Sequence, residues 1–179
     1  MGARQDKIYR RFAEDGDYEG CRRILDSLAL SSMRGSDLIV SGRPIVLHHS
    51  TNRMFNVFKP SSSGWFGGGV YFSVSKDGFP IGKRVLPCYV NARKLATMDD
   101  LVEELGDPDM EVDVGDFSRN REFLQGLGYD GFLGDVHGTT LAYWGDVSNI
   151  KLAKPTWSDD GELIPLSMRF DFSNPDIRY

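Results

Sequence analysis

Cysteine and histidine are scarce in this 179-residue chain, with two of the first and three of the second, and basic residues do not exceed acidic ones. Cys21 and Cys88 lie far apart without metal-ligand spacing, so they support neither a disulfide framework nor a zinc cage. The expected compartment is reducing, the cytoplasm of a producing or target cell. Twenty-one Lys and Arg against 26 Asp and Glu give a formal net charge of -5. That balance excludes a protein whose main task is to coat nucleic acid, which takes a broad basic face, but leaves room for a small basic groove. No run of about 18 apolar residues is present, and the opening "MGARQDKIYRRF" lacks the apolar stretch of a signal peptide, so neither a span nor a leader is expected. Met1-Gly2 fails the myristoylation pattern because Asp6 stands where Ser or Thr is required. No internal repeat is visible.

What remains, 40% hydrophobic and 26% charged, fits one globular unit able to bury a sizeable core. Residues 6–14 read as a short helix ending near Gly16. After Asp17, an N-cap, Tyr18, Cys21, Ile24, Leu25 and Leu28 recur at helical spacing and predict a second, amphipathic helix. Strands are expected at 45–49 and 70–74, and in "KRVLPCYVNA", where Pro87 predicts an edge or a bulge. "MDDLVEEL" and "SRNREFLQGLG" read as helices, the latter capped by Ser118 and stopped by Gly128. "YDGFLG", "TTLAYWG" and "NIKLA" complete the strands. Helices first and strands later predict an α+β fold: an N-terminal helical segment over 1–40, packed on a domain over 41–179 with a largely antiparallel or mixed, split sheet.

The stretch "IVLHHSTNRMFNVF", residues 45–58, places His48 and His49 at a strand end. Neighbours in a strand point to opposite faces, so alternation nominates one histidine for a cleft and leaves the other as a core or solvent-facing group. The same alternation keeps the pair from gripping one ion, and the only other histidine is His137, so no metal site is expected. In "GWFGGGVYF", three glycines precede Tyr71 and Phe72. Bare backbone there can approach a ligand closely, and a flat aromatic suits stacking on a heteroaromatic ring. The competing reading is a mobile surface loop ahead of two core aromatics. No Gly-Lys-Ser/Thr follows, so this is not a nucleotide P-loop.

Four segments in order resemble the ADP-ribosyltransferase superfamily, in its histidine-tyrosine-glutamate branch: "LHHSTNRMFNVFKP", "GWFGGGVYF", "LGYDGFLGDVHGTTLAYWGDVSNIKLA" and "IPLSMRFDFSNPDIRY". The last is similar to the ending of transferase domains in phage and mobile-element polyvalent proteins. Together the segments span roughly residues 40–179. With Thr51, Phe55 and Phe58 in the family's spacing, the motif histidine falls on His49 and Ser50 replaces the usual glycine. A second register uses His48, with His49 in the glycine slot. The resemblance implies that His49 bonds a ribose hydroxyl of NAD, that Ser50, Thr51 and Gly69 contribute backbone to the binding site, and that Tyr71 stacks on the nicotinamide ring. Phe79 is the nearest candidate for a second aromatic wall.

The chain departs from the family at the third motif residue. Anchored on Asp146 and Ile150-Lys151, the catalytic glutamate position falls on Leu141, and no glutamate lies between Glu122 and Glu162. A slip of one or two residues would bring Thr140 into the site, and Asp135 and His137 on the preceding turn read either as substitutes or, ahead of that, as a plain solvated turn. The implied activity is mono-ADP-ribosyl transfer from NAD, as substrate, to a macromolecule, with protein ranked ahead of nucleic acid on the acidic balance and nicotinamide released. The alternatives are an inactive NAD- or ADP-ribose-binding module of a larger phage-like protein, and an NAD glycohydrolase.

Overall fold

The computed structural model describes residues 2–78, 82–105, 117–135 and 138–179; Phe79 and His137 lie outside them. The molecule is α+β. Helix α1 (Ala3–Glu14) begins three residues ahead of the expected start and gives way at Gly16, whose φ of +72° favours glycine. The Asp17 carboxylate then accepts from Gly20 N at 2.8 Å and caps α2 (Tyr18–Ser32) as the sequence predicts. The buried stripe of α2 is Cys21, Leu25 and Ala29, while Tyr18, expected on it, is 59% exposed. With Tyr9 and Ala13 of α1, this stripe covers Val46, Tyr89, Ala153, Leu166 and Phe170.

A small hairpin, β1 (Ile39–Val40) and β2 (Arg43–Pro44), turns on Ser41 and Gly42, both at positive φ, and crosses the boundary at 40/41 set between helical segment and domain. The remaining strands are β3 (Leu47–Thr51), β4 (Val70–Ser73), β5 (Arg84–Val90), β6 (Leu95–Ala96), β7 (Gly131–Asp135), β8 (Thr139–Tyr143) and β9 (Ile150–Leu152). They form one sheet in the order β6-β7-β8-β4-β3-β5-β9, parallel only between β6 and β7. Helix α3 (Met98–Leu105) follows β6, and α4 (Phe117–Gly126) precedes β7.

Two expectations fail because of contacts from distant parts of the chain. β5 is an interior strand, although it contains Pro87. The Pro87 carbonyl accepts from Ala153 N at 2.8 Å, just beyond the end of β9, so the ring nitrogen faces a flank where the ladder has stopped. Ser118 lies inside α4, which has already begun at Phe117; Phe117 is buried with Phe66, Phe132 and Trp144 and anchors that end by packing. Gly128, at φ +85°, stops the helix as expected.

The sheet is joined weakly at one seam. β3 holds β5 through five registered pairs and β4 holds β8 through four, but β3 and β4 share only His48 with Ser73. The two halves share no registered pair beyond that one, and the candidate site lies there.

Candidate functional site

Across the seam, His49 Nδ1 lies 2.8 Å from the Tyr71 carbonyl oxygen. A carbonyl only accepts, so Nδ1 carries the proton and the neutral ring presents Nε2 as an acceptor. Burial pushes the His49 pKa below its ordinary value, partly opposed by that bond, which keeps the imidazole neutral at neutral pH. Phe58, Phe55 and Phe72 meet the ring edge-on at 4.9, 6.1 and 5.7 Å between centroids. The spacing of Phe55 and Phe58 behind His49 thus builds a three-sided aromatic collar that fixes the ring.

Tyr71 is held by the loop before it. Phe66 N donates to its hydroxyl at 2.9 Å, and the hydroxyl donates to the Gly67 carbonyl. Burial raises the phenol pKa, so it stays protonated and can serve as that donor. A Cβ on Gly64 would stand 2.3 Å from the Tyr71 oxygen and 2.5 Å from the ring, so only glycine lets the loop lie against the phenol. The loop is not a slack surface segment: Ser61 and Gly69 exchange backbone bonds of 2.8 and 2.9 Å and close it. Nor do the glycines mainly serve a ligand. A Cβ on Gly68 would meet the Ser61 carbonyl at 2.4 Å and one on Gly69 the Tyr143 carbonyl at 2.7 Å, so the bare backbone is spent on the protein's own chain.

Two cavities share His49, Ser61 and Tyr71 in their linings. The larger, about 390 Å³, is lined by His49, Thr51, Arg53, Lys59, Gly69 and Tyr71, among others. The smaller, about 230 Å³, is lined by His48, His49, Ser50, Trp65, Tyr71 and Ser73, with Ser61 shared by both. Both histidines therefore reach the smaller cavity, against the expectation from alternation. The strands separate beyond His48 and Ser73, so the two faces of β3 are not divided by a continuous ladder there. His48 Nδ1 is buried without a partner among the described residues.

The side-chain oxygens of Ser50 and Thr51 are engaged locally. Ser50 Oγ accepts from Gly82 N at 2.8 Å, and Thr51 Oγ1 accepts from Arg53 N at 3.1 Å, so they fix the flanking loops. Leu141 lies elsewhere. Registered with Phe72 and Leu133, it is 0% exposed and packs in the central core, whereas Tyr71 is registered with Ala142 and so points to the other face. Leu141 does not line either cavity. Thr140, one residue earlier, shares the Tyr71 face but is 1% exposed, and its hydroxyl donates to the Gly138 carbonyl at 3.0 Å. Among the described residues, no Asp or Glu lines either cavity.

Trp65, 49% exposed, lines the smaller cavity beside Tyr71 and was not singled out by sequence reasoning. Its place ahead of the glycines, in a chain with three tryptophans, was the available signal. Arg53 and Lys59 in the larger cavity were likewise missed, since isolated exposed cations carry no pattern.

No helix among the described residues is long and apolar enough to cross a membrane. No family model matches the chain, and no curated protein does. Among solved structures it is similar to one titled "Crystal structure of an anti-CRISPR protein", at 17% identity and a TM-score of 0.38, over 60% of this chain and 92% of the other. Likeness at that level assigns neither a fold family nor an activity.

Proposed function

We propose that the chain is an ADP-ribosyltransferase-like protein that binds NAD across the β3–β4 seam and transfers one ADP-ribose to a macromolecule. The observation that carries this reading is the meeting of two cavities at the His49–Tyr71 contact, one aromatic and one cationic. Ligand pockets typically run to a few hundred Å³ with a few placed polar groups, and this pair suits a bent dinucleotide. The nicotinamide ring goes to the smaller cavity against Tyr71, with Trp65 in the role expected of Phe79. The ribose hydroxyl donates to Nε2 of His49, and the diphosphate lies in the larger cavity near Arg53 and Lys59. Transfer then breaks the bond between nicotinamide and ribose C1′. The ring keeps the electron pair and leaves neutral, while an acceptor nucleophile bonds C1′ and gives up its proton. The chain's part is to hold the reacting centre bent and exposed on one face.

With no carboxylate lining either cavity among the described residues, the reading gives the acceptor the task of meeting the charge that develops on the ribose, which limits the reaction to single additions. The same absence favours a second reading, a module that binds NAD without turning it over. Incubation with NAD labelled in the adenosine half, alone and with cell lysate, separates them. Transfer lost in both His49→Ala and Tyr71→Ala supports the transferase. Binding without nicotinamide release supports the module, and nicotinamide release without a labelled acceptor identifies a glycohydrolase. No binding at all refutes every version.

A further inference from the structure

The acidic balance of the chain conceals a local reversal. Next to the larger cavity, and sharing Arg53, Met54 and Phe55 with it, runs a groove of about 340 Å³. Among the described residues it is lined by four cations, Arg53, Arg84, Lys154 and Arg178, and by no carboxylate, in a chain of net charge -5. Arg178 is partly neutralised, bonded to Asp159 at 2.6 Å and Asp176 at 2.8 Å. Arg53, Arg84 and Lys154 are exposed and make no ion pair among the described residues.

Topology brings these separate stretches together. Arg84 is registered with Thr51 at the end of β3, two residues before Arg53. The C-terminal tail crosses between the 53–58 loop and β9: Ile177 N donates to Asn56 O at 2.8 Å, and the Ile177 carbonyl accepts from Leu152 N at 2.9 Å. That crossing sets Lys154 and Trp157 beside Arg53 over an apolar floor of Leu86, Leu152 and Ile177. Trp157 is 41% exposed and Met54 is 81% exposed, so a flat indole and an apolar thioether stand open among the cations.

A cationic track with an exposed flat aromatic is the combination that holds single-stranded nucleic acid, with phosphates on the cations and a base stacked on the ring. An acidic peptide satisfies the charges but leaves the indole without a use. We infer that this groove binds single-stranded nucleic acid, its phosphates along Arg53, Arg84 and Lys154 and a base on Trp157. The inference does not rest on the dinucleotide reading. Should both hold, the strand lies at the mouth of the NAD cavity, and nucleic acid becomes the favoured acceptor class.

Fluorescence anisotropy with a labelled oligothymidylate and an oligouridylate, without NAD, tests it. Binding is expected at low salt, with log affinity falling against log salt at a slope of roughly −2 for three phosphate contacts. Arg84→Ala and Lys154→Ala, both at exposed positions that line only the groove, should each flatten the slope by about 0.7. Trp157→Ala should weaken binding about tenfold while leaving the slope unchanged. Absence of binding at low salt overturns the proposal. So does displacement by poly-glutamate as effective as that by unlabelled oligonucleotide, or binding indifferent to all three substitutions.

Discussion

At the scale of single residues, His49 is defined by what its two nitrogens can do. The bond from Nδ1 to the Tyr71 carbonyl selects the tautomer, and burial holds the ring neutral. Since the folded pKa lies below the ordinary value of about 6.5, the neutral ring contributes stability above that value, and this is lost as pH falls through the folded pKa. Protonation also turns Nε2 from acceptor to donor. NAD affinity should therefore fall on acidification through the same range, and histidine nitrogen spectra should show Nδ1–H at neutral pH; an Nε2–H signal would contradict the assignment. Leu141 is the opposite case. As a fully buried core residue it behaves as packing, and Leu141→Ala should cost about 2–5 kcal/mol in urea unfolding with dinucleotide affinity unchanged. Leu141→Glu should unfold the chain rather than supply the missing carboxylate, because a lone charge there has no solvent and no partner.

Among elements, the local rules were readable where they depend on neighbours in sequence. The Asp17 cap, the Gly128 stop and the strands around residues 47, 70 and 141 follow from spacing and turn chemistry. The failures depended on distant partners. Pro87 looked like an edge signal because nothing in its own stretch reveals that β9 ends opposite it. The three glycines looked like a ligand cradle because the carbonyl that approaches Gly69 comes from Tyr143, over 70 residues on, and the loop's own return onto Ser61 has no signature in its sequence. The loop makes a direct prediction. Gly64→Ala pushes the loop off Tyr71 and should weaken NAD binding about tenfold, close to the loss of one aromatic contact with its alignment. Gly126→Ala, with open space around its Cβ at the end of α4, should instead raise stability by about 0.5–1 kcal/mol and leave binding alone. Thermal unfolding together with NAD titration of both variants checks the contrast.

For the whole molecule, the tail is a structural clasp. Lys151, fully buried, donates to the carbonyls of Asn174 and Asp176, and Arg169 donates to Tyr9 Oη, Lys154 O and Leu152 O. These bonds tie the last residues to β9 and to α1. The tail's physical task, holding the 53–58 loop and β9 together, was invisible in its own sequence because it is made of contacts over 20 residues away. Burial lowers the Lys151 pKa to about 8, against the pull of Asp171 and Asp176. The unfolded chain then binds the proton more tightly, so the cost of burying the ammonium is present below about pH 8 and is relieved as pH rises toward the ordinary lysine range. Against Lys151→Met, measured by urea unfolding, the lysine protein should gain relative stability across that window; a flat difference would show that the ammonium is not buried in solution. Net charge was equally opaque at this scale, since the total of -5 averages over a groove whose described lining residues include four cations and no carboxylate.

The central claim is that a dinucleotide occupies the seam where His49 meets Tyr71. Isothermal titration of NAD into the protein and into Tyr71→Ala, with both folds checked by circular dichroism, tests it most directly. One saturable site in the protein, weakened at least tenfold in a folded Tyr71→Ala, is the predicted result. No heat of binding in the protein, or equal affinity in the two, would contradict it.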